Sequence, residues 1–366
     1  MMDELTIPAS PDAVTPAWLT QALRRAGLLT RTTVTARAME RLGEGQGFTG
    51  RLVRFRMVYD VADEGAPPSL VAKFPTADPH VRAILNRHGI YEREIRFYQE
   101  VAPAGGLRTP RAYYGAFDSA TGESVLLLED LAHARVGDNI AGGSPDDVAC
   151  VIRHLATFHA TWWEHPRLGQ LAWMPCFHDD ADVLQAWYQQ LWGGFVEKFG
   201  GRLPGALLEI GARFRPHVAH SRHRLAGPPR TIVHGDLRLD NCLFGPAGSD
   251  TTLTVIDWQV ALRGRGVSDV AYFLAFCLPP SQRRALEESC VKTYHTLLGT
   301  RGVRGYAFAQ CLQDYRLSML QVLARLVIAV ALLDFTSERG QALAEALIHR
   351  CAAALEDHNI GALIPA

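Results

Sequence analysis

Asp236, Asn241 and Asp257 are the residues of this 366-residue chain best suited to chemistry. The first two lie in His234-Gly-Asp-Leu-Arg-Leu-Asp-Asn241, and the third follows in Ile256-Asp257-Trp258. A loop aspartate can accept the proton of an attacking hydroxyl. An asparagine five residues later and a second aspartate at the end of a strand can hold magnesium under the phosphates of ATP. The pattern therefore predicts phosphoryl transfer, with Asp236 as base and Asn241 and Asp257 as metal ligands. Thr231–Val233 and Thr252–Ile256 are β-rich runs, and Phe244–Asp250 between them is a turn cluster. This reading places the three polar residues at the ends of one hairpin. The plainer alternative is a polar loop beside an ordinary buried strand, and the matching flanks favour the chemistry.

His-Gly-Asp-x4-Asn followed by Ile-Asp-Trp resembles the aminoglycoside phosphotransferase and choline kinase-like superfamily, small-molecule kinases that share the protein-kinase fold. Val255–Gln259 followed by Gly266-Val-Ser-Asp269-Val-Ala-Tyr-Phe-Leu274 is most similar to its ecdysteroid kinase-like and related bacterial branches. The resemblance implies a bilobal α+β fold. A β-rich N-lobe covering ATP would span residues 1–130, and a mainly helical C-lobe residues 131–366. Three further parts are then expected before residue 132.

The first is a phosphate-covering loop. Gly45, Gly47 and Gly50 form G-x-G-x-x-G between two strand-like runs, Thr32–Met39 and Leu52–Tyr59. Strand, glycine loop, strand is the kinase context, whereas a dinucleotide fold would follow the loop with a helix. The second part is Lys73, inside the apolar run Ser69–Phe74. A lysine there needs a partner for its charge. Asp78-Pro79 opens a helical stretch along which Tyr91, Ile95 and Tyr98 make an inward stripe. Glu94 shares that buried edge, and the resemblance makes Lys73–Glu94 the ion pair that serves the ATP phosphates. The third part is the hinge: Glu123–Leu131 reads as a buried strand, and backbone groups of Glu129 and Leu131 would read the adenine.

In the C-terminal part, Val148–Trp163 reads as a helix carrying His159 on its apolar face, a core histidine by this reading. Arg238 either clamps γ-phosphate oxygens or is simply solvated. Asp240 is expected to bind backbone. Asp269 is read either as a helix N-cap or as the family's brace for the catalytic loop. Trp162, Trp163, Trp173, Trp187, Tyr188 and Trp192 line an apolar acceptor pocket or only pack helices.

A partly apolar alcohol is the expected acceptor. Aminoglycosides or other antibiotics and choline-like amino alcohols are the alternatives. A protein kinase fits less well, because His-Gly-Asp and Ile-Asp-Trp replace that group's motifs. A nucleotide-binding pseudokinase fits poorly with every part intact. The net charge of −1 offers no attraction to nucleic acid or anionic membrane. Seven cysteines without C-x-x-C spacing suggest reduced thiols in a cytoplasmic protein, monomer or homodimer, with no secretion signal apparent.

Overall fold

Alternating apolar residues in the N-terminal third build an antiparallel sheet covered on one face by the first helix. Helix α1 (Pro16–Arg25) begins at Thr15, whose hydroxyl accepts the Trp18 amide at 3.1 Å, and buries Leu19, Ala22 and Leu23. There follow β1 (Val34–Leu42), β2 (Gly50–Tyr59), β3 (Ser69–Pro75), α2 (Pro79–Arg87), α3 (Ile90–Arg96), β4 (Ala112–Phe117) and β5 (Ser124–Glu129). The strands lie in the order β1-β2-β3-β5-β4, every neighbour antiparallel. Phe55, Leu70, Ala72, Phe74, Val125 and Leu127 join the apolar face of α1 in one core.

The helical stretch after Asp78 is two helices rather than one. The Asp78 carboxylate caps α2 by accepting the His80 and Val81 amides at 2.8 and 3.1 Å. Gly89 then turns the backbone to φ +65°, which ends α2 and restarts the chain as α3. Tyr91, Glu94 and Ile95 remain the buried face of α3.

The second part of the chain holds β6 (Arg135–Val136), α4 (Pro145–Trp162), α5 (Ala181–Phe199), α6 (Gly205–Phe214) and α7 (Val218–Ala226). Next come β7 (Thr231–Val233), β8 (Cys242–Phe244), β9 (Leu253–Val255) and β10 (Leu262–Gly264). Four helices finish it: α8 (Val267–Cys277), α9 (Pro280–Thr300), α10 (Phe308–Leu332) and α11 (Glu338–Asp357). The one-hairpin arrangement expected from sequence is not what forms. β7 pairs with β10, while β9 pairs with β8. An apolar β-rich run shows that a strand exists but not which distant strand completes its hydrogen bonds.

The structure, a computed structural model, describes all residues except 1–4, 44–49, 64, 246–251, 333–336 and 366. Gly45, Gly47 and most of the Phe244–Asp250 turn lie outside the described residues. The chain divides into two compact units, Met1–Ala104 with Thr109–His133, and Gly105–Arg108 with Ala134–Ala366. All seven cysteines are free and buried. Among the described residues no helix is long and apolar enough to cross a membrane.

Candidate active site

In the first unit, β3 and α3 bring Lys73 and Glu94 together. Lys73 Nζ lies 2.7 Å from Glu94 Oε2, with the two side chains 14% and 6% exposed. So short a pair at such low exposure is a fixed structural element, unlike a mobile surface bridge. Gly50 opens β2 opposite Pro75. A Cβ there would stand 2.6 Å from the Phe74 carbonyl oxygen and 3.9 Å from Lys73 Cε. Only glycine lets the strand exit pass this close to the lysine.

The end of β5 is held by contacts that the sequence does not announce. Asp130 accepts Arg54 Nε at 2.7 Å, Arg54 Nη2 at 3.2 Å and Ser69 Oγ at 2.7 Å. Burial alone would push the Asp130 carboxyl up, but the Arg54 and Ser69 hydrogen bonds win and hold it below the usual range. Glu129 donates its amide to the Arg111 carbonyl at 2.8 Å. The Leu131 side chain is buried.

In the second unit, β7 delivers the His234–Asn241 segment. Gly235 takes φ +81°, and a Cβ there would meet the Val260 carbonyl oxygen at 2.7 Å. Glycine is therefore required just before Asp236. The loop is held by Asp269 on α8, whose two carboxylate oxygens accept the His234 and Gly235 amides at 2.7 and 2.9 Å. Asp269 sits inside α8, and Gly266 is the N-cap, so the brace is the role the structure shows. His159 supports it from α4: fully buried, it contacts the Tyr294 hydroxyl at 2.8 Å and lies 3.4 Å from Asp269. His234 accepts the Asp236 amide at Nδ1, 3.2 Å, and donates from Nε2 to the Ile256 carbonyl at 2.9 Å. That one ring ties the Asp236 loop to the residue before Asp257.

The Asp236 carboxylate is oriented by one hydrogen bond and one ion pair. Tyr272 donates its hydroxyl to Oδ1 at 2.6 Å, and Arg238 Nε lies 3.2 Å from the same oxygen. Asp236 raises the Arg238 guanidinium further above its high ordinary value, so the residue is a permanent cation. Burial first, and the charge of Asp236 second, push the Tyr272 phenol well above its usual range. Arg238 is thus paired with Asp236, and with Asp240 at 3.7 Å, rather than solvated. Asp240 also accepts the Asn139 amide at 3.1 Å, the backbone contact expected of it. Tyr272 lies three residues after Asp269 on α8, a spacing that puts both on one helix face. That spacing was the available signal for a residue the motif reading left out.

Asn241 donates Nδ2 to the Asp236 carbonyl at 2.9 Å, which directs its Oδ1 the other way. Asn241 precedes β8 and Asp257 follows β9, so the two flank the open end of one hairpin. Asp257 has a left-handed backbone, φ +68°, and its Oδ2 accepts Gln259 Nε2 at 3.3 Å.

Three of the six aromatic residues in the tryptophan region are packed in the core. Trp162 and Trp192 are 1% and 6% exposed and Tyr188 is buried. Trp192 stacks on Tyr188 at 5.7 Å and lies against Gly211, where a Cβ would meet its ring at 2.2 Å. Trp163, Trp173 and Trp187 are only half-buried. Aromatic composition does not distinguish a pocket wall from a core, because both reward buried ring area.

A profile of the ecdysteroid kinase-like family matches residues 44–301. Among solved structures, a Ralstonia eutropha protein provisionally described as an aminoglycoside phosphotransferase is 17% identical. The alignment covers 93% of this chain and 97% of that one, with a TM-score of 0.54. An ethanolamine kinase from Plasmodium vivax is 11% identical over 86% of this chain and 81% of its own, TM-score 0.53. The GDP complex of wild-type aminoglycoside 2'-phosphotransferase-IIIa is 16% identical over 88% and 92%, TM-score 0.50. At such identities these likenesses show the fold, the protein-kinase-like α+β architecture. Acyl-CoA dehydrogenase family member 10 of Mus musculus is 48% identical over 52 residues, 14% of this chain. That match spans only 5% of the relative's length.

Proposed function

We propose that this chain, which belongs to the ecdysteroid kinase-like family, transfers the γ-phosphoryl group of ATP to a hydroxyl of a small molecule. The observation that carries the reading is Asp236. Its Oδ1 is taken by Tyr272 and Arg238, while Oδ2 has no partner among the described residues. A carboxylate with one oxygen fixed and the other open is placed to act as a base.

In the proposed reaction the acceptor hydroxyl gives its proton to Asp236 Oδ2 while its oxygen bonds to the γ-phosphorus. The bond from that phosphorus to the bridging oxygen breaks, and its electron pair leaves with ADP. Arg238 holds positive charge beside the base as negative charge develops on the transferring group. Asn241 Oδ1 and the Asp257 carboxylate are hard oxygen donors of the kind magnesium takes alongside phosphates and water. Bound there, the ion would neutralise phosphate charge. Lys73, fixed by Glu94, pairs with nucleotide phosphates; Gly45, Gly47 and Gly50 supply the covering backbone; the Glu129 carbonyl and Leu131 amide read the base. The GDP complex of the similarly folded phosphotransferase supports nucleotide use.

Magnesium–ATP should raise the melting temperature of the protein, and an acceptor screen should then release ADP. Asp236→Asn should abolish transfer while keeping the thermal shift, since this carboxylate serves the acceptor rather than the nucleotide. Turnover within tenfold of wild type would sink the assignment.

A further inference from the structure

A cleft beside the catalytic loop has one polar group left over. It is lined by Phe177, Arg222, Gly235, Tyr272, Gln321 and Arg325, among others, and its enclosed volume is small, about 20 Å³. Ser318, Gln321, Val322 and Arg325 project from α10 at the spacing of a single helix face.

Nearly every polar side chain here is already committed. Arg222 donates to the Phe177 carbonyl at 2.8 Å, to Gln321 Oε1 at 3.1 Å and to Asp180. Gln321 Nε2 donates to Ser221 at 2.7 Å. Ser318 and Ser268 bond each other at 2.9 Å, and Asp269 uses both oxygens on the loop. Tyr272 donates to Asp236. Arg325 differs: among the described residues its guanidinium has no hydrogen bond and no ion pair. Its Nη2 lies 3.5 Å from where a Gly235 Cβ would be, against the backbone that carries the base.

We propose that Arg325 binds an anionic group, a carboxylate or a phosphate monoester, on the acceptor alcohol. The inference rests on the phosphotransferase reading and names the acceptor class for it. A guanidinium presents five donors in a planar fork that matches such oxyanions bidentately. Among the described residues the only carboxylate lining the cleft is Asp269, and both of its oxygens are occupied. A second guanidinium, Arg222, also lines the cleft, with its charge met by Asp180, so Arg325 is the charge left to a ligand. Burial first, opposed by Asp180 and reinforced by Arg325, brings Arg222 down to about 10, so it too is charged at neutral pH. This lining repels polycationic aminoglycosides and choline-like amines. It suits an apolar alcohol that ends in an acid.

The test uses the full-length protein with magnesium–ATP and four alcohols of one chain length: hydroxycaproate, its methyl ester, aminohexanol and hexanediol monophosphate. Hexanoate, hexyl phosphate and methyl hexanoate serve as non-reacting probes of binding by saturation-transfer NMR. An anionic probe should bind at least about tenfold more tightly than the ester. Arg325→Gln should erase that preference, and Arg325→Lys should restore part of it. Carboxylate and phosphate arms separate the two sources of negative charge. In turnover, kcat/KM should favour the matching anionic alcohol, and Arg325→Gln should raise the acceptor KM without raising that of ATP. Equal binding of acid and ester, a preference for the amine, or a rise in the ATP KM alone would overturn the proposal. If anionic probes bind through Arg325 but no ADP is released, the acceptor assignment fails together with the kinase reading; an intact response to magnesium–ATP with no anion preference fails this inference alone.

Discussion

Tyr272→Phe removes a single oxygen atom, and the structure indicates what that atom does. The hydroxyl donates to Asp236 Oδ1 at 2.6 Å, a charge-assisted bond worth about 1.5–3 kcal/mol. Arg238 Nε remains on the same oxygen at 3.2 Å, so the carboxylate is weakened in its orientation without being freed. If the lost energy appears in aligning the base, kcat falls by roughly ten- to a hundredfold. Folding should change far less. Phenylalanine keeps the ring, and the Asp236 side chain is 23% exposed, so water can replace the missing donor. The stability loss should stay below about 1 kcal/mol. Steady-state kinetics and a thermal melt measure both halves. The nucleotide KM should be unchanged, and adding Tyr272→Phe to Asp236→Ala should cost nothing more. A kcat within twofold of wild type, accompanied by a clear fall in Tm, would show that the hydroxyl only stabilises the fold.

Two other outcomes follow from the same geometry. Asp257→Ala should raise the magnesium concentration needed for half-maximal rate strongly, and Asn241→Ala should raise it less while also lowering kcat, because Asn241 anchors the Asp236 carbonyl; magnesium titrations matching wild type would refute the ligand roles. Burial holds the Tyr294 and Tyr315 phenols well above their ordinary range. In the unfolded chain they ionise near about pH 10, so the native state binds more protons above that pH. Stability should therefore fall as pH rises past about 10, seen as a declining Tm, with no contribution from these groups between pH 7 and 9.

Much of this was legible beforehand because it is local. Strands β2 and β3, the Asp78 cap and the buried edge of α3 all follow from residue type and period. That edge marked Glu94 as a buried acid in need of a cation, and the family resemblance named Lys73 as its partner. Strand partnership was not legible: β7 finds β10 across the catalytic segment, and nothing within either run encodes the other. Tyr272 and Arg325 escaped for a related reason. Each lies on a helix distant in sequence from Asp236; for Tyr272 the three-residue spacing from Asp269 was the one available signal, and for Arg325 only tertiary packing carries it to the loop. The break at Gly89 was visible as a glycine, but a glycine within a helical pattern does not by itself say whether the helix continues. Sequence left both roles open for Trp192, because a large ring is equally at home in a core and on a ligand; the structure buries it.

Asp257 has a longer consequence. Its φ is +68°, and among described non-glycine residues only Glu164 and Asn359 also have a positive φ, +48° and +49°. A side chain in that conformation costs about 1 kcal/mol, a burden glycine would not carry. Selection for sturdiness alone would therefore replace this carboxylate. A library screened for heat resistance would tend to enrich glycine at position 257 and, with Asp257 in the proposed magnesium role, return hardier, inert proteins. Under the magnesium role proposed for Asp257, thermostability and turnover would be opposed at this residue, and an engineering campaign on this scaffold should hold it constant.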